Sequence, residues 1–340
     1  MTVPFGIALP NYGPLAAPET LVRLARLAEE LGVDSVWMSD HLVAPVGVAS
    51  IYPYDRRPDP KPGDMGVIEE FYEPLTTLAF LAGATSRVRL GTLVSGNTYR
   101  NPAHLAKIVT TLDIVSRGRA ILGIGAGWFE PEHQGYGFDF PPIGERLSRL
   151  DEALRIIRGM LRGERPTVDG RYYRTHEALN VPAPVQPGGP AILIGGTGEQ
   201  RTLRLVARYA DESNWTCSPE EFPRKLEALE KHCAAVGRKR SEIGVSWLGS
   251  LLIAETMEAA EALRDGYLRA RGMDWSVLPP AIRERIAAAL VLGDPDSVGE
   301  FVSTRILGQG LDGIVVNLPA NGHEPEAVRL AARTLKAALL

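Results

Sequence analysis

The feature that most constrains this chain is a series of short apolar segments, rich in Val, Ile and Leu, that alternates with helical patterns along the whole sequence. A strand that is apolar on both faces must be covered on both, and helices that cross from one parallel strand to the next supply that cover. Such segments lie at 5–9, 35–38, 88–94, 120–124, 191–194, 213–216, 243–253 and 313–318. Eight parallel strands, each followed by a helix, close into a barrel. The expected fold class is therefore α/β, a (β/α)8 TIM barrel, with residues 1–340 forming one domain and insertion loops at its C-terminal face.

The helices carry start and stop signals. Pro18, Glu19 and Thr20 open a run that places Leu21, Leu24, Ala25, Ala28 and Leu31 on one face, and Gly32 ends it. Further patterns of period 3.6 fall at 104–115, 145–161, 200–209, 219–235, 257–270, 295–307 and 325–339. Three stretches exceed minimal barrel spacing: 42–72, 130–143 and 162–190. The first two follow strands, where a barrel places the loops that build its active site, and read as lids and pocket walls. The third, with Asp169-Gly170 and Tyr172-Tyr173, reads as a short hairpin.

Charge and composition narrow the function. Thirty-seven basic against forty-one acidic residues give a net charge of -4. Without a basic stripe, the balance argues against a nucleic-acid partner. No apolar run reaches the roughly 20 residues that span a bilayer, and the N-terminus lacks a signal-peptide pattern, so the expectation is a cytoplasmic protein with no membrane partner. Cys217 and Cys233 lack the spacing of a disulfide framework or zinc site and read as structural thiols. The six histidines are scattered, which gives no metal-site pattern.

Chemistry-bearing residues gather at strand ends. Asp40 and His41 follow the second strand, where an imidazole would exchange a proton near neutral pH; a histidine merely satisfied by hydrogen bonds fits the same position. Gly123, Gly125 and Gly127 end the fourth strand and would let backbone approach a flat ligand, or form a tight turn. Gly195, Gly196, Thr197 and Gly198 lead from the fifth strand into a helix, an arrangement suited to an anion. A flexible helix start is the alternative. Leu93 to Thr98 run off the third strand, and Trp37, Trp128 and Trp215 lie near strand ends where they would wall an apolar pocket.

In order and spacing these segments resemble the luciferase-like monooxygenase superfamily, specifically its deazaflavin-dependent branch. The resemblance is carried by Trp37-Met38-Ser39-Asp40-His41, by Arg89-Leu90-Gly91-Thr92-Leu93-Val94 with Arg100-Asn101-Pro102, and by Ser116-Arg117-Gly118-Arg119 leading to Leu122-Gly123-Ile124-Gly125-Ala126-Gly127-Trp128. Ile194-Gly195-Gly196, Ala210-Asp211 and Val316-Asn317-Leu318-Pro319 complete it. It implies coenzyme F420, or alternatively FMN, bound at the C-terminal face, with hydride transfer to or from a small organic substrate. The FMN alternative is a monooxygenase that uses reduced flavin and oxygen.

By the same resemblance, Thr92, Leu93 and Val94 would back the ring, with a cis peptide at Leu93-Val94. Gly125, Gly127 and Thr216 would lie near the cofactor, and Gly195 to Gly198 would take its phosphate. Asp40 would contact the ring and His41 would transfer the proton. Sugar-phosphate dehydrogenases of this branch have a glutamate where this sequence has Trp128, so an apolar or aromatic substrate is expected, with Glu130 or Glu132 a partial substitute for the missing acid. A homodimer is also implied.

Overall fold

A computed structural model describes residues 4–13, 16–42 and 70–339. Eight parallel strands form its centre: β1 (Phe5–Ala8), β2 (Ser35–Met38), β3 (Arg89–Thr92), β4 (Ala120–Gly125), β5 (Ala191–Gly195), β6 (Glu212–Trp215), β7 (Gly244–Ile253) and β8 (Gly313–Asn317). They pair in chain order, and β8 pairs with β1 to close the ring, Phe5 lying opposite Ile314 and Ala8 opposite Asn317. The expected (β/α)8 barrel is present. Boundaries agree within one residue except at the third segment, where regular pairing stops at Thr92 and resumes in the two-residue strand Ser95–Gly96.

The outer layer holds helices α1 (Pro18–Glu30), α2 (Pro74–Ala84), α3 (Pro102–Val115), α4 (Glu130–Gly135), α5 (Ile143–Leu161), α6 (Thr202–Tyr209), α7 (Phe222–Ala235), α8 (Met257–Arg269), α9 (Pro280–Ala289), α10 (Pro295–Glu300) and α11 (Pro325–Ala338). Their starts follow capping chemistry: Asn101 accepts from the amides of Ala103 and His104, and Asp294 from that of Ser297. Helix α2 has no counterpart among the sequence patterns. Its residues PLTTLAFLAGA are apolar on every side, so no stripe of period 3.6 distinguishes it. The strand Val291–Gly293, parallel to the end of β7, is likewise an addition. Residues 162–190 contain the expected hairpin, Val168–Asp169 against Arg174–Thr175. Glu152 pins its tip by accepting from the amides of Arg171, Tyr172 and Tyr173. Among the described residues, no helix is long and apolar enough to cross a membrane.

Side chains alternate across each strand, which sorts them into two cores. Val36, Met38, Ile192 and Ile194 face outward against the helices. Trp37, Ile121, Leu193 and Val315 face inward and fill the barrel. The interior is shaped around Trp37, whose indole Nε1 donates to Ser35 Oγ over 2.8 Å. A Cβ on Gly91 would stand 2.4 Å from Trp37 Cζ3, and one on Gly6 would stand 2.5 Å from Trp37 Nε1. The neighbouring strands therefore carry glycine where the indole lies. The packed interior keeps ligands out of the barrel and confines binding to its rim.

At the opposite end of the barrel, Glu29 of α1 accepts from the backbone amides of Ser86, Arg87 and Val88, which lead into β3. Burial pushes this carboxyl up, but the amide hydrogen bonds outweigh it and hold the group at about 2, below its ordinary 4.5. A value depressed by folding contributes stability that is whole above pH 4.5 and is lost as the pH falls through about 2.

Two outcomes follow. Gly91→Ala should destabilise the protein by about 1–3 kcal/mol through overpacking against Trp37, read by urea unfolding; an unchanged midpoint would contradict the packing described. Glu29→Gln should lower the melting temperature at neutral pH, with the gap to wild type closing as the pH approaches 2. A gap of constant size would exclude the carboxylate as its source.

Candidate functional site

The C-terminal ends of β2, β3, β4 and β5 stand side by side, and the residues singled out in the sequence meet there. Thr92 ends β3 fully buried, and its hydroxyl donates to the Gly123 carbonyl over 2.8 Å. A Cβ on Gly123 would fall 1.8 Å from the Thr92 carbonyl oxygen, so glycine is required by the adjacent backbone. The next bond, Leu93-Val94, is cis. Val94 reaches across β4 to β5: Cβ atoms on Gly125 and Gly195 would stand 3.0 and 2.9 Å from its methyl groups. Thr92, Leu93, Val94, Gly125 and Gly195 thus form one surface made largely of backbone and a single branched side chain.

Beyond Gly195 the chain passes through Gly196, at a φ of 113°, to Thr197 and Gly198 before α6 begins. Buried Lys225 of α7 donates to the Thr197 carbonyl over 3.0 Å and fixes the loop from beneath. No side chain among the described residues caps the first turn of α6. Arg201, which precedes it, instead binds the Gly144 carbonyl and Ser148. The Leu203 amide donates back to the Gly198 carbonyl over 3.0 Å, so the loop joins glycines directly to a helix start, an arrangement that suits an anion. Thr216 follows β6 and is half-buried.

Asp40 and His41 stand at the end of β2 but face different partners. Asp40 is buried and receives a bidentate pair from Arg100 at 2.5 and 3.1 Å; Arg100 also binds Glu73 at 2.6 Å. Arg100 is one of the residues that sequence reasoning did not assign. Its guanidinium is stabilised by both carboxylates against the cost of burial, and it locks β2, α2 and the loop before α3 together.

His41 Nδ1 lies 2.9 Å from Glu132 Oε2 of α4. Glu132 also accepts from the Tyr99 hydroxyl at 2.6 Å and from the Leu42 amide. Burial pushes the Glu132 carboxyl up, yet hydrogen bonds led by His41 outweigh that and hold it below the ordinary carboxylate range. The Tyr99 phenol is pushed well up by burial and by Glu132, so it remains a donor. Next to Glu132, His133 Nδ1 lies 2.6 Å from the Phe129 carbonyl and Nε2 lies 2.5 Å from Thr98 Oγ1. A carbonyl only accepts, so the proton is on Nδ1 and Nε2 accepts from Thr98. Burial pushes the His133 imidazolium down, consistent with a neutral ring.

Aromatic rings surround His41. Phe71 and Trp128 stand edge-on to it with centroids 5.5 Å away, Phe129 at 5.8 Å, and Phe71 stacks on Tyr12 at 5.5 Å. Of the three tryptophans expected to wall a pocket, Trp128 stands edge-on to His41 at the barrel rim. Trp37 is corrected to the barrel interior, because strand alternation turns it inward, and Trp215 to the outer core, fully buried against Phe222 at 6.2 Å. Cys217 and Cys233 are both buried, as structural thiols would be. Most of the stretch 42–72, expected as a lid, falls outside the described residues. Glu130–Gly135, expected as part of a lid, is a helix that supplies Glu132 and His133 from below. Among the described residues, no group of three or more His, Cys, Asp or Glu is placed to hold a metal ion.

Comparison with known proteins places the geometry in context. A family model described as luciferase-like monooxygenase matches residues 2–310. The F420-dependent glucose-6-phosphate dehydrogenase of Kineococcus radiotolerans is 39% identical over 235 residues, 67% of this chain and 62% of that protein. The phthiodiolone/phenolphthiodiolone dimycocerosates ketoreductase of Mycobacterium bovis is 35% identical over 240 residues, 65% of this chain and 58% of that protein. Both matches span less than two thirds of the relative's length. In fold, the coenzyme F420-dependent tetrahydromethanopterin reductase of Methanopyrus kandleri superposes with a TM-score of 0.76 at 21% identity, covering 100% of both chains.

Removing Arg100 would leave Asp40 buried and uncompensated. Arg100→Ala should cost about 3–5 kcal/mol in urea unfolding, and adding Asp40→Asn should recover part of the loss. Additive losses in the double variant would show that the pair does not act as one unit.

Proposed function

The chain belongs to the luciferase-like monooxygenase family, and within that family we propose that it is an F420-dependent oxidoreductase that moves a hydride between the deazaflavin and a small organic substrate, with His41 transferring the accompanying proton. The observation that carries the reading is the continuous backbone surface at Val94, Gly125 and Gly195, with the imidazole of His41 on the same rim and the uncapped start of α6 beyond it. Relatives named for F420-dependent activity support it.

The residues fit the cofactor. Thr92, Leu93 and Val94 would back its ring, and Gly125 and Gly127 would border it, the place of a side chain being taken by Val94 at the first and by Thr98 and His133 at the second. Gly195, Gly196, Thr197 and Gly198 would line its phosphate, with the amides of Thr197 and Gly198 and the α6 dipole facing it, since the Gly196 amide already donates to the Asn214 carbonyl. Thr216 would complete the wall beyond β5. When bound, the deazaflavin accepts or donates the hydride. The chain's own share is to orient the substrate, exclude water and hold a proton at His41. Asp40 would contribute through Arg100, keeping the end of β2 in register beneath the ring.

Phe71, Trp128 and Phe129 make the surroundings of His41 apolar. They support a neutral carbonyl or alcohol on an apolar or aromatic scaffold rather than a sugar phosphate. A relative named as a ketoreductase is compatible with that chemistry.

Purified protein titrated separately with F420 and FMN should quench F420 fluorescence at micromolar protein and leave FMN unbound. FMN binding without F420 binding would overturn the assignment. His41→Ala should retain F420 affinity and lose turnover by about 10²–10⁴-fold, the usual worth of a positioned acid or base. Unchanged turnover would remove His41 from the reaction.

A further inference from the structure

We propose that Glu132 is the positioning residue of this site: by accepting the Nδ1 proton of His41 it fixes the ring in one tautomer and makes Nε2 the atom that exchanges a proton with substrate. The inference rests on the oxidoreductase reading for its catalytic consequence, but its structural half stands without it.

Glu132 lies on α4, directly after the glycine-rich end of β4, and its side chain is fully buried. A buried carboxylate is tolerated only when donors meet it. Here the donors come from separate segments: His41 and the Leu42 amide after β2, and the Tyr99 hydroxyl from the loop after β3. A carboxylate has no proton to give, so the His41 nitrogen 2.9 Å away must be the protonated one. In a neutral imidazole the other nitrogen then carries the lone pair. In that neutral form the partly exposed ring has Nε2 as the atom able to take a proton.

The consequence is directional and balanced. In alcohol oxidation, with the bound deazaflavin supplying the hydride acceptor, the hydroxyl proton would pass to Nε2 as the carbinol C–H bond breaks and the C=O bond forms. The imidazolium that results faces an ionised carboxylate across Nδ1. Carbonyl reduction reverses each transfer, with Nε2–H protonating the nascent alkoxide. His133 anchors the adjacent turn of α4 through Phe129 and Thr98 and so keeps Glu132 under His41.

Glu132→Gln separates this role from simple packing. The Leu42 amide is an obligatory donor, so the glutamine oxygen would turn to it and the NH2 group would face His41 Nδ1. Nδ1 would then have to accept, and the proton would move to Nε2. In protein labelled with 15N-histidine, the His41 signals, assigned by their loss in His41→Ala, should show a protonated Nδ1 and a bare Nε2 in wild type, and the reverse in Glu132→Gln. Turnover should fall by about 10²–10⁴-fold, as when a wrong tautomer is imposed on a catalytic histidine, while F420 affinity stays within about twofold. Glu132→Asp should keep the wild-type tautomer and recover part of the activity.

A neutral wild-type ring with its proton on Nε2 and a bare Nδ1 would overturn the proposal, and so would a Glu132→Gln variant with wild-type tautomer and turnover. Should Glu132→Gln fail to fold, the wild-type and Glu132→Asp spectra decide the matter. Absence of F420 binding by wild type would instead defeat the oxidoreductase reading and leave the tautomer result standing.

Discussion

A carboxylate withdrawn from water must be met by donors, and the rim of this barrel is organised around two that are. Glu132 draws in the end of β2 and the loop after β3, while Asp40 is met by Arg100, which also takes Glu73. An unmet charge at either place would cost several kcal/mol, so the segments that carry the donors cannot drift apart without loss. The position of His41 follows from these bonds, and its aromatic neighbours close around a ring already held.

The barrel beneath supplies the rigidity on which this depends. Its interior is filled by Trp37, Ile121, Leu193 and Val315, and the glycines of β1 and β3 beside Trp37 let the indole lie flat against backbone. With the centre occupied, ligands are confined to the strand ends. There the backbone at Gly123, Gly125 and Gly195 is bare because Thr92 and Val94 leave no room for a side chain. The same crowding that packs the sheet therefore produces a smooth platform.

Much of this was legible in the residues alone. Parallel strands announce themselves as apolar runs, and eight of them at crossover spacing leave few topologies. The departures have physical causes. Helix α2 is apolar all round and has no stripe to detect. Trp37 and Trp215 sit near strand ends as expected, yet the pleat turns one into the barrel and the other into the outer core, a distinction that depends on exact register. The glycine-rich strand ends and His41 were visible because their residue types are unusual there. The partners of Asp40 and His41 were not, since Arg100 and Glu132 lie 60 and 91 positions away and only the closed barrel brings them together. Glu132 was visible as a nearby acid, but its place beneath the histidine was not.

The account as a whole requires that one redox ring lie across the ends of β3, β4 and β5 within reach of His41. A crystal structure of the protein with F420 tests this most directly. The ring should rest on Val94 with its phosphate at Gly195 to Gly198 and His41 Nε2 turned towards the reacting face. A ring bound elsewhere, or a His41 that meets it through Nδ1 with Glu132 displaced, would contradict the account.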